Sequence, residues 1–284
     1  MRRILHVSDV HFGPFFVPAA ADAVLRLAAD RRPDLVIVSG DLTQRAKPQQ
    51  FRDARAFVDA IPVPTLCVPG NHDVPMYRVW ERVFAPYGAY RRHFAEEMEP
   101  VFEDDELVVA GLNTAFNWTV KDGRVTRAAL ARLAEVFERA PAGKARLVVA
   151  HHHLLPPPRF APQRVSGGAF EALRLFAHYG VELVFSGHLH QTWIGNSEEY
   201  YPGGGKPVRV LHSGTTCSAR GRGCEKKLQT CNWVRLDRGL VEIDHLLFEE
   251  KSGAFTLQSR HLYPRAGGAA AGAAGESPFG PALS

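Results

Sequence analysis

The chain has no long apolar run. No segment approaches the roughly 18 uninterrupted apolar residues of a membrane span, so no transmembrane helix is expected. Cysteine is scarce: Cys67, Cys217, Cys224 and Cys231, with no Cys-x-x-Cys pair among them. Zinc-finger spacing is therefore absent, and reduced thiols are the expectation. The even spacing of the last three reads as coincidence rather than as a redox or metal site. A concentrated basic stripe is missing too. The net charge of +4 is spread along the chain, which argues against a dedicated nucleic-acid binder. Met1 to Asp9 turns polar too early for the apolar core of a secretory signal, which predicts a cytoplasmic protein. No internal repeat is apparent.

Histidine, by contrast, is plentiful, with 13 in 284 residues. His72, His151 to His153, His188 and His190 fall in three short motifs, and His11 sits in a fourth. The chain is long enough for one large domain or two small ones.

Apolar runs and helical periods alternate through the first part of the chain. Ile4–Ser8, Leu35–Val38 and Thr65–Val68 read as strands, with helices over Ala20–Asp30 and Phe51–Ala60 between them. Further strands are expected at Leu107–Leu112, Arg146–Ala150 and Val181–Ser186, with helices at Thr126–Arg139 and Phe170–Tyr179. Met76–Met98 reads as largely helical and aromatic, interrupted near Pro86 and Gly88, and either packed on the body or forming a cap. Phe12, Phe15 and Phe16 tuck under the next helix or form an apolar lip. The pieces 208–212, 230–236, 241–248 and 256–262 are expected to be antiparallel strands completing a second sheet. An Ala/Gly-rich tail over 265–284 is expected to be disordered, leaving one domain over 1–264.

Each strand of the first part ends in acidic, Asn or His residues. The ends read Asp9-Val10-His11, Gly40-Asp41, Gly70-Asn71-His72-Asp73, His151-His152-His153 and Gly187-His188-Leu189-His190. Residues two apart on an extended segment share a face, so Asp9 and His11 are expected to grip one ion. In α/β folds the carboxyl ends of the strands are where ligands bind.

These blocks, complete and in order, resemble the calcineurin-like metallophosphoesterase superfamily. The resemblance implies a four-layer α/β/β/α sandwich of two mixed sheets, with a dimetal site at the strand ends. It implies that Asp9, His11 and His190 hold one divalent ion, that Asn71, His151 and His188 hold another, and that Asp41 bridges them. His72 is the implied general acid, Asp73 its orienting partner, and Asn71 a donor to the developing oxyanion. Paired ions neutralise the phosphate oxygens and supply a bridging hydroxide for attack on a phosphodiester. At the fourth block His151 is preferred over His152 as ligand, with His153 a wall of the pocket. His6 and His212 are expected to be satisfied core or supporting histidines. The donor set accepts Mn²⁺, Fe²⁺/Fe³⁺, Zn²⁺ or similar ions.

The stretches Ser39–Arg45 and Val68–Pro75 are similar to the bacterial class III cyclic-nucleotide phosphodiesterase group. That makes a small phosphoester, a cyclic nucleotide first, the expected substrate. Arg220 and Arg222 stand either near the site, as phosphate holders, or on a solvated loop. A UDP-2,3-diacylglucosamine pyrophosphate hydrolase, with peripheral membrane contact through the aromatic segments, is the second reading. A nuclease and a non-catalytic metal-binding scaffold complete the set. The sequence fixes neither the oligomeric state nor the metal.

Overall fold

The structure is a computed structural model that describes residues 1–157 and 164–265. The elements run β1 (Arg2–Val7), α1 (Pro18–Arg31), β2 (Leu35–Val38), α2 (Pro48–Asp59), β3 (Thr65–Cys67), α3 (Val79–Phe84), α4 (Gly88–His93), β4 (Val101–Glu103), β5 (Leu107–Leu112) and α5 (Arg127–Arg139). They continue as β6 (Ala145–Ala150), α6 (Ala169–Tyr179), β7 (Val181–Ser186), β8 (Trp193–Asn196), α7 (Ser197–Tyr200), β9 (Arg209–His212), β10 (Thr230–Leu236), β11 (Leu240–Glu249) and β12 (Ala254–Pro264).

Two six-stranded mixed sheets result, in the orders β12-β11-β10-β1-β2-β3 and β4-β5-β6-β7-β9-β8. Strand alternation builds the layers. On β1, Leu5 and Val7 face the helices while Ile4 faces the second sheet; on β2, Val36 and Val38 oppose Leu35 and Ile37 in the same way. Leu147, Val149, Leu183, Phe185 and Leu211 meet them from the second sheet. Helices α5 and α6 cover that sheet's far face through Leu130, Leu133, Phe137, Leu173 and Phe176. Each such buried aliphatic side chain contributes about 1.5–3 kcal/mol. The product is the expected α/β/β/α sandwich. Parallel strands β1, β2 and β3 of one sheet and β6 and β7 of the other carry the motif-bearing turns at their carboxyl ends.

Several expectations need correction. The late strands β10, β11 and β12 extend the first sheet, with β10 antiparallel to β1, while β9 lies parallel to β7 in the second. Strands β4 and β8 were not expected; each is short and sits on an edge. The aromatic segment is two short helices with the break near Pro86 and Gly88 that was expected. Tyr90 of α4 is buried, its hydroxyl on the Cys67 carbonyl at 3.0 Å. Tyr77, Trp80 and Phe84 are exposed instead. Phe12 and Phe16 stack at 4.2 Å and Phe12 packs near Phe57, so only Phe15 of the three is exposed. An apolar lip of three rings does not form there.

The four thiols are free. Burial pushes Cys67 up to about 12. Of the expected tail, residues 266–284 lie outside the described residues, whereas Arg265 pairs with Glu182 at 2.7 Å. Among the described residues no helix is long and apolar enough to cross a membrane.

Candidate dimetal centre

Five turns meet at one end of the sandwich. They do so through unusual backbone. Asp9, His11, Asp41, His188 and His190 all have positive φ, between 51° and 68°. Each such residue costs of order 1–3 kcal/mol and persists only where its surroundings hold it. Backbone bonds from Asp9 N to Gly40 O (3.1 Å) and from His11 N to Asp41 O (2.9 Å) lace the first two turns together. His188 N donates to Asp9 Oδ2 at 2.9 Å, tying in the fifth. Asp9 and His11 therefore do not share a face of an extended strand, as alternation suggested. β1 ends at Val7, and two left-handed residues turn both side chains into the site while Val10 enters the core.

Glycine is required where turns touch. A Cβ on Gly40 would stand 2.6 Å from His151 Nδ1, and one on Gly187 would stand 1.9 Å from Ser8 Oγ.

The donors form two adjoining groups. In the first, His190 Nε2 lies 3.1 Å from Asp9 Oδ1 and 3.1 Å from His11 Nε2, with Asp41 Oδ2 3.6 Å from His11 Nε2. In the second, Asn71 Oδ1 lies 3.2 Å from His151 Nε2 and 3.0 Å from His188 Nδ1. Asp41 Oδ1 stands 3.4 Å from that same His151 nitrogen. Asp41 thus sends one oxygen to each group.

The site carries a polar debt that a cation would settle. Asp9 Oδ1 and Asp41 Oδ2 are buried without a hydrogen-bond partner. Such orphans are rare and costly. Burial pushes both carboxyls up, yet His190 and His11 beside Asp9, and His151 and His72 beside Asp41, hold them well below the usual carboxylate range. His11 is pushed down to about 4 by burial, against the pull of Asp9. Burial and the neighbouring His152 and His151 hold His188 well below its ordinary value. Anionic oxygens and neutral imidazoles facing one another are a divalent-ion donor set. His151 differs: although burial lowers it, Asp41 raises it to about 9, which puts a proton where an ion would sit.

His151 and His152 are told apart by their second nitrogens. His151 Nδ1 donates to the Ser39 carbonyl at 2.8 Å and aims Nε2 at Asp41 and Asn71. His152 Nδ1 faces Thr114 Oγ1 at 2.8 Å, leaving Nε2 buried without a partner. A ring nitrogen of His152 still lies close enough to nitrogens of His151 and His188 to group with them. His153 lines the cleft, its ring 5.7 Å from that of His188.

His72 has other partners than expected. Its Nδ1 donates to the Gln44 carbonyl at 2.7 Å, and its Nε2 faces Arg220 Nη1 at 3.3 Å. Asp73 does not reach the ring. Its carboxylate accepts from Thr43 N (2.8 Å), Thr43 Oγ1 (2.9 Å), Gly70 N (3.0 Å) and Leu42 N (3.2 Å). Its place is a clamp between the Asp41 and Asn71 turns, not the orienting group of His72. Burial and the Asp41 charge push Asp73 up to about 7, against the donors of Gly70 and Thr43.

Behind the centre stand His6 and His212, expected as core or supporting histidines, and Ser8, Ser39 and Asn232, which sequence reasoning missed. Ser8 Oγ donates to Asp9 Oδ2 at 2.7 Å, Ser39 Oγ to Ser8 Oγ at 2.8 Å, and His6 Nε2 to Ser39 Oγ at 2.9 Å. Asn232 Nδ2 supports His6 Nδ1 at 3.1 Å. Only the polarity of Ser8 and Ser39 beside the motifs signalled this in the sequence. His212 is buried beside Trp193, its Nδ1 3.4 Å from the Gly187 carbonyl. Arg220 stands at the site, as one of its two readings held, and its carbonyl accepts from His190 Nδ1 at 2.9 Å.

Fold, strand-end turns and converging donors define a metallophosphoesterase. The chain belongs to the calcineurin-like phosphoesterase family, whose profile matches residues 2–192. It is 29% identical over 209 residues to the "probable cyclic nucleotide phosphodiesterase" of Synechococcus sp. (strain ATCC 27144), across 67% of this chain and 74% of that protein. It is 40% identical over 80 residues to the glycerophosphodiester phosphodiesterase GpdQ of Enterobacter lignolyticus, a match spanning 25% of this chain and 29% of that protein. In fold it is similar to a dimetal phosphatase from Danio rerio, with a TM-score of 0.63 at 13% identity over 93% of this chain and 99% of that one. The purple acid phosphatase PPD1 of yellow lupin gives a TM-score of 0.67 at 11% identity over 92% of this chain and 53% of that one.

Proposed function

We propose that the protein is a two-metal hydrolase of small phosphodiesters, with cyclic nucleotides the first substrates to test. The observation that carries this is Asp41, whose two carboxylate oxygens divide between two donor groups. Asp9, His11, His190 and Asp41 would hold one divalent ion. Asn71, His151, His188 and Asp41 would hold the other. Such a pair, when bound, neutralises phosphate oxygens and lowers the pKa of water. Mn²⁺, Fe²⁺/Fe³⁺ and Zn²⁺ all suit the mixed oxygen and nitrogen donors.

The chain's own residues supply the rest. Asn71 Nδ2 is held by the Val120 carbonyl at 3.2 Å, which keeps its oxygen on the metal side. His72 keeps one proton on Nδ1 against Gln44, so a second proton, carried on Nε2, is the one delivered to the leaving alkoxide. Arg220 Nη1 stands 3.3 Å from that nitrogen, where its positive charge would meet a phosphoryl group of a substrate entering the cleft.

The UDP-2,3-diacylglucosamine reading keeps one support, the exposed Tyr77, Trp80 and Phe84 on the segment after the third turn. It loses the Phe-rich loop, where a buried Phe12 and a half-buried Phe16 stack on each other. A substrate panel on the Mn²⁺-loaded protein tests both readings. Bis-p-nitrophenyl phosphate, cyclic AMP, 2′,3′-cyclic nucleotides and UDP-2,3-diacylglucosamine are compared. Metal-dependent turnover of a nucleotide diester is expected. Turnover of the lipid alone would overturn the nucleotide reading, and absence of turnover with two ions bound would favour the scaffold.

A further inference from the structure

The cleft outside the dimetal centre carries charge that one phosphodiester leaves unmatched. Its volume is about 610 Å³, and Arg45, Arg82, Lys121, Arg164, Arg220 and Arg222 all line it. Beyond Asp41, Asp122 is the one carboxylate in that lining among the described residues. Among the described residues none of the six cations forms an ion pair. Arg82 bonds the carbonyls of Pro75 and Thr119, and Arg220 bonds Gln44 Oε1 and faces His72. A neutral acceptor orients a guanidinium without cancelling its charge.

The metal centre does not absorb this surplus. Two divalent ions bring four positive charges, Asp9 and Asp41 cancel two, and a scissile diester with its nucleophile cancels the rest. The wall cations stand outside that balance. Val74, Met76, Val120 and the exposed ring of Tyr77, over which Arg45 stands at 5.2 Å, add apolar lining to the same cleft. Such surface suits a base or sugar spanning two anionic groups.

We propose that the preferred substrate is a small phosphodiester carrying a second phosphoryl group. Its scissile phosphate lies at the metal centre and the second against Arg220, Arg222 and Arg45. Guanidinium groups match phosphate oxygens bidentately, and among the described residues no carboxylate forms an ion pair with these three. The inference rests on the phosphodiesterase reading for its scissile phosphate. The second site stands on the cleft alone.

The test compares AMP with adenosine 3′,5′-bisphosphate on the Mn²⁺-loaded full chain at low salt. Either phosphate of the bisphosphate can take the metal side, so the comparison does not depend on which end is cleaved. Each ligand is measured by calorimetry and as an inhibitor of bis-p-nitrophenyl phosphate hydrolysis. The bisphosphate is expected to bind at least about tenfold tighter, a difference of about 1.4 kcal/mol. In an Arg45→Gln/Arg222→Gln double variant, metal content should stay at two ions and the ratio should fall below about threefold. Both side chains are exposed, so the fold should tolerate the change. Equal affinities in the wild type, or a full ratio in the double variant, would overturn the inference. If the diester is hydrolysed without any ratio, the second site fails and the hydrolase reading survives. A ratio that the variant abolishes, without hydrolysis, does the reverse.

Discussion

Asp41→Asn keeps the shape of the bridging residue and removes its charge. Its amide has one favourable orientation. Asp41 Oδ1 accepts from His72 N at 2.8 Å, so an NH₂ there would set donor against donor. The amide oxygen therefore stays on the His151 side, and the NH₂ replaces Oδ2, facing His11. The ion lost should be the one held by Asp9, His11 and His190. The Coulomb term between a unit charge and a divalent ion about 4 Å away, at an effective dielectric near 20, is about 8 kcal/mol, so a loss of at least about a thousandfold in affinity is expected. Chelator competition with elemental analysis reads this directly. The expected result is one tight ion per chain, with the second site weakened far less. Two ions bound at wild-type affinity would refute the bridging role. Loss of the Asn71-side ion alone would refute the orientation argument.

His72→Ala should retain both ions and lose about 10²- to 10⁴-fold in kcat on alkyl leaving groups, and much less on p-nitrophenyl esters. Equal losses on both would remove the general-acid role. Asp73→Asn should cost about 1–3 kcal/mol in urea unfolding, because an NH₂ replaces an oxygen that serves backbone donors. It should also weaken metal binding, yet leave the leaving-group dependence unchanged; a His72-like dependence would restore the orienting role. His6, His212 and His245 are pushed by burial down to about 3, 3 and 4. With an unfolded value near 6.5, the unfolded chain binds more protons below that pH. The stability of keeping them neutral is full above about pH 6.5 and is lost as pH falls toward about 4, by up to about 1.4 kcal/mol per unit for each histidine. Urea midpoints between pH 7 and 5 should fall accordingly, and less steeply in His245→Gln. An unchanged slope in that variant would contradict the share assigned to it.

The five motif blocks were legible because each needs particular residue types next to a strand end. Asp41, Asn71 and His188 each follow a glycine, and Gly40 and Gly187 sit where a Cβ would strike His151 or Ser8. Strand and helix positions in the first part followed from β-prone apolar runs and helical period. What stayed hidden was longer in range. Alternation could not reveal that Asp9 and His11 are left-handed, since φ depends on contacts with Gly40 and Asp41 far along the chain. Strand pattern does not say which sheet a strand joins, so β10 to β12 were placed in the wrong one. Adjacency suggested that Asp73 orients His72, but the 3-10 turn over Asn71–Asp73 points them apart, one to the cleft and one to Thr43.

The measurement that bears most directly on the central claim is anomalous diffraction from crystals of Mn²⁺-loaded protein. Two peaks are predicted, one among Asp9, His11 and His190 and one among Asn71, His151 and His188, with Asp41 giving an oxygen to each. A single peak, or a second peak held by His152 without contact to Asp41, would contradict it.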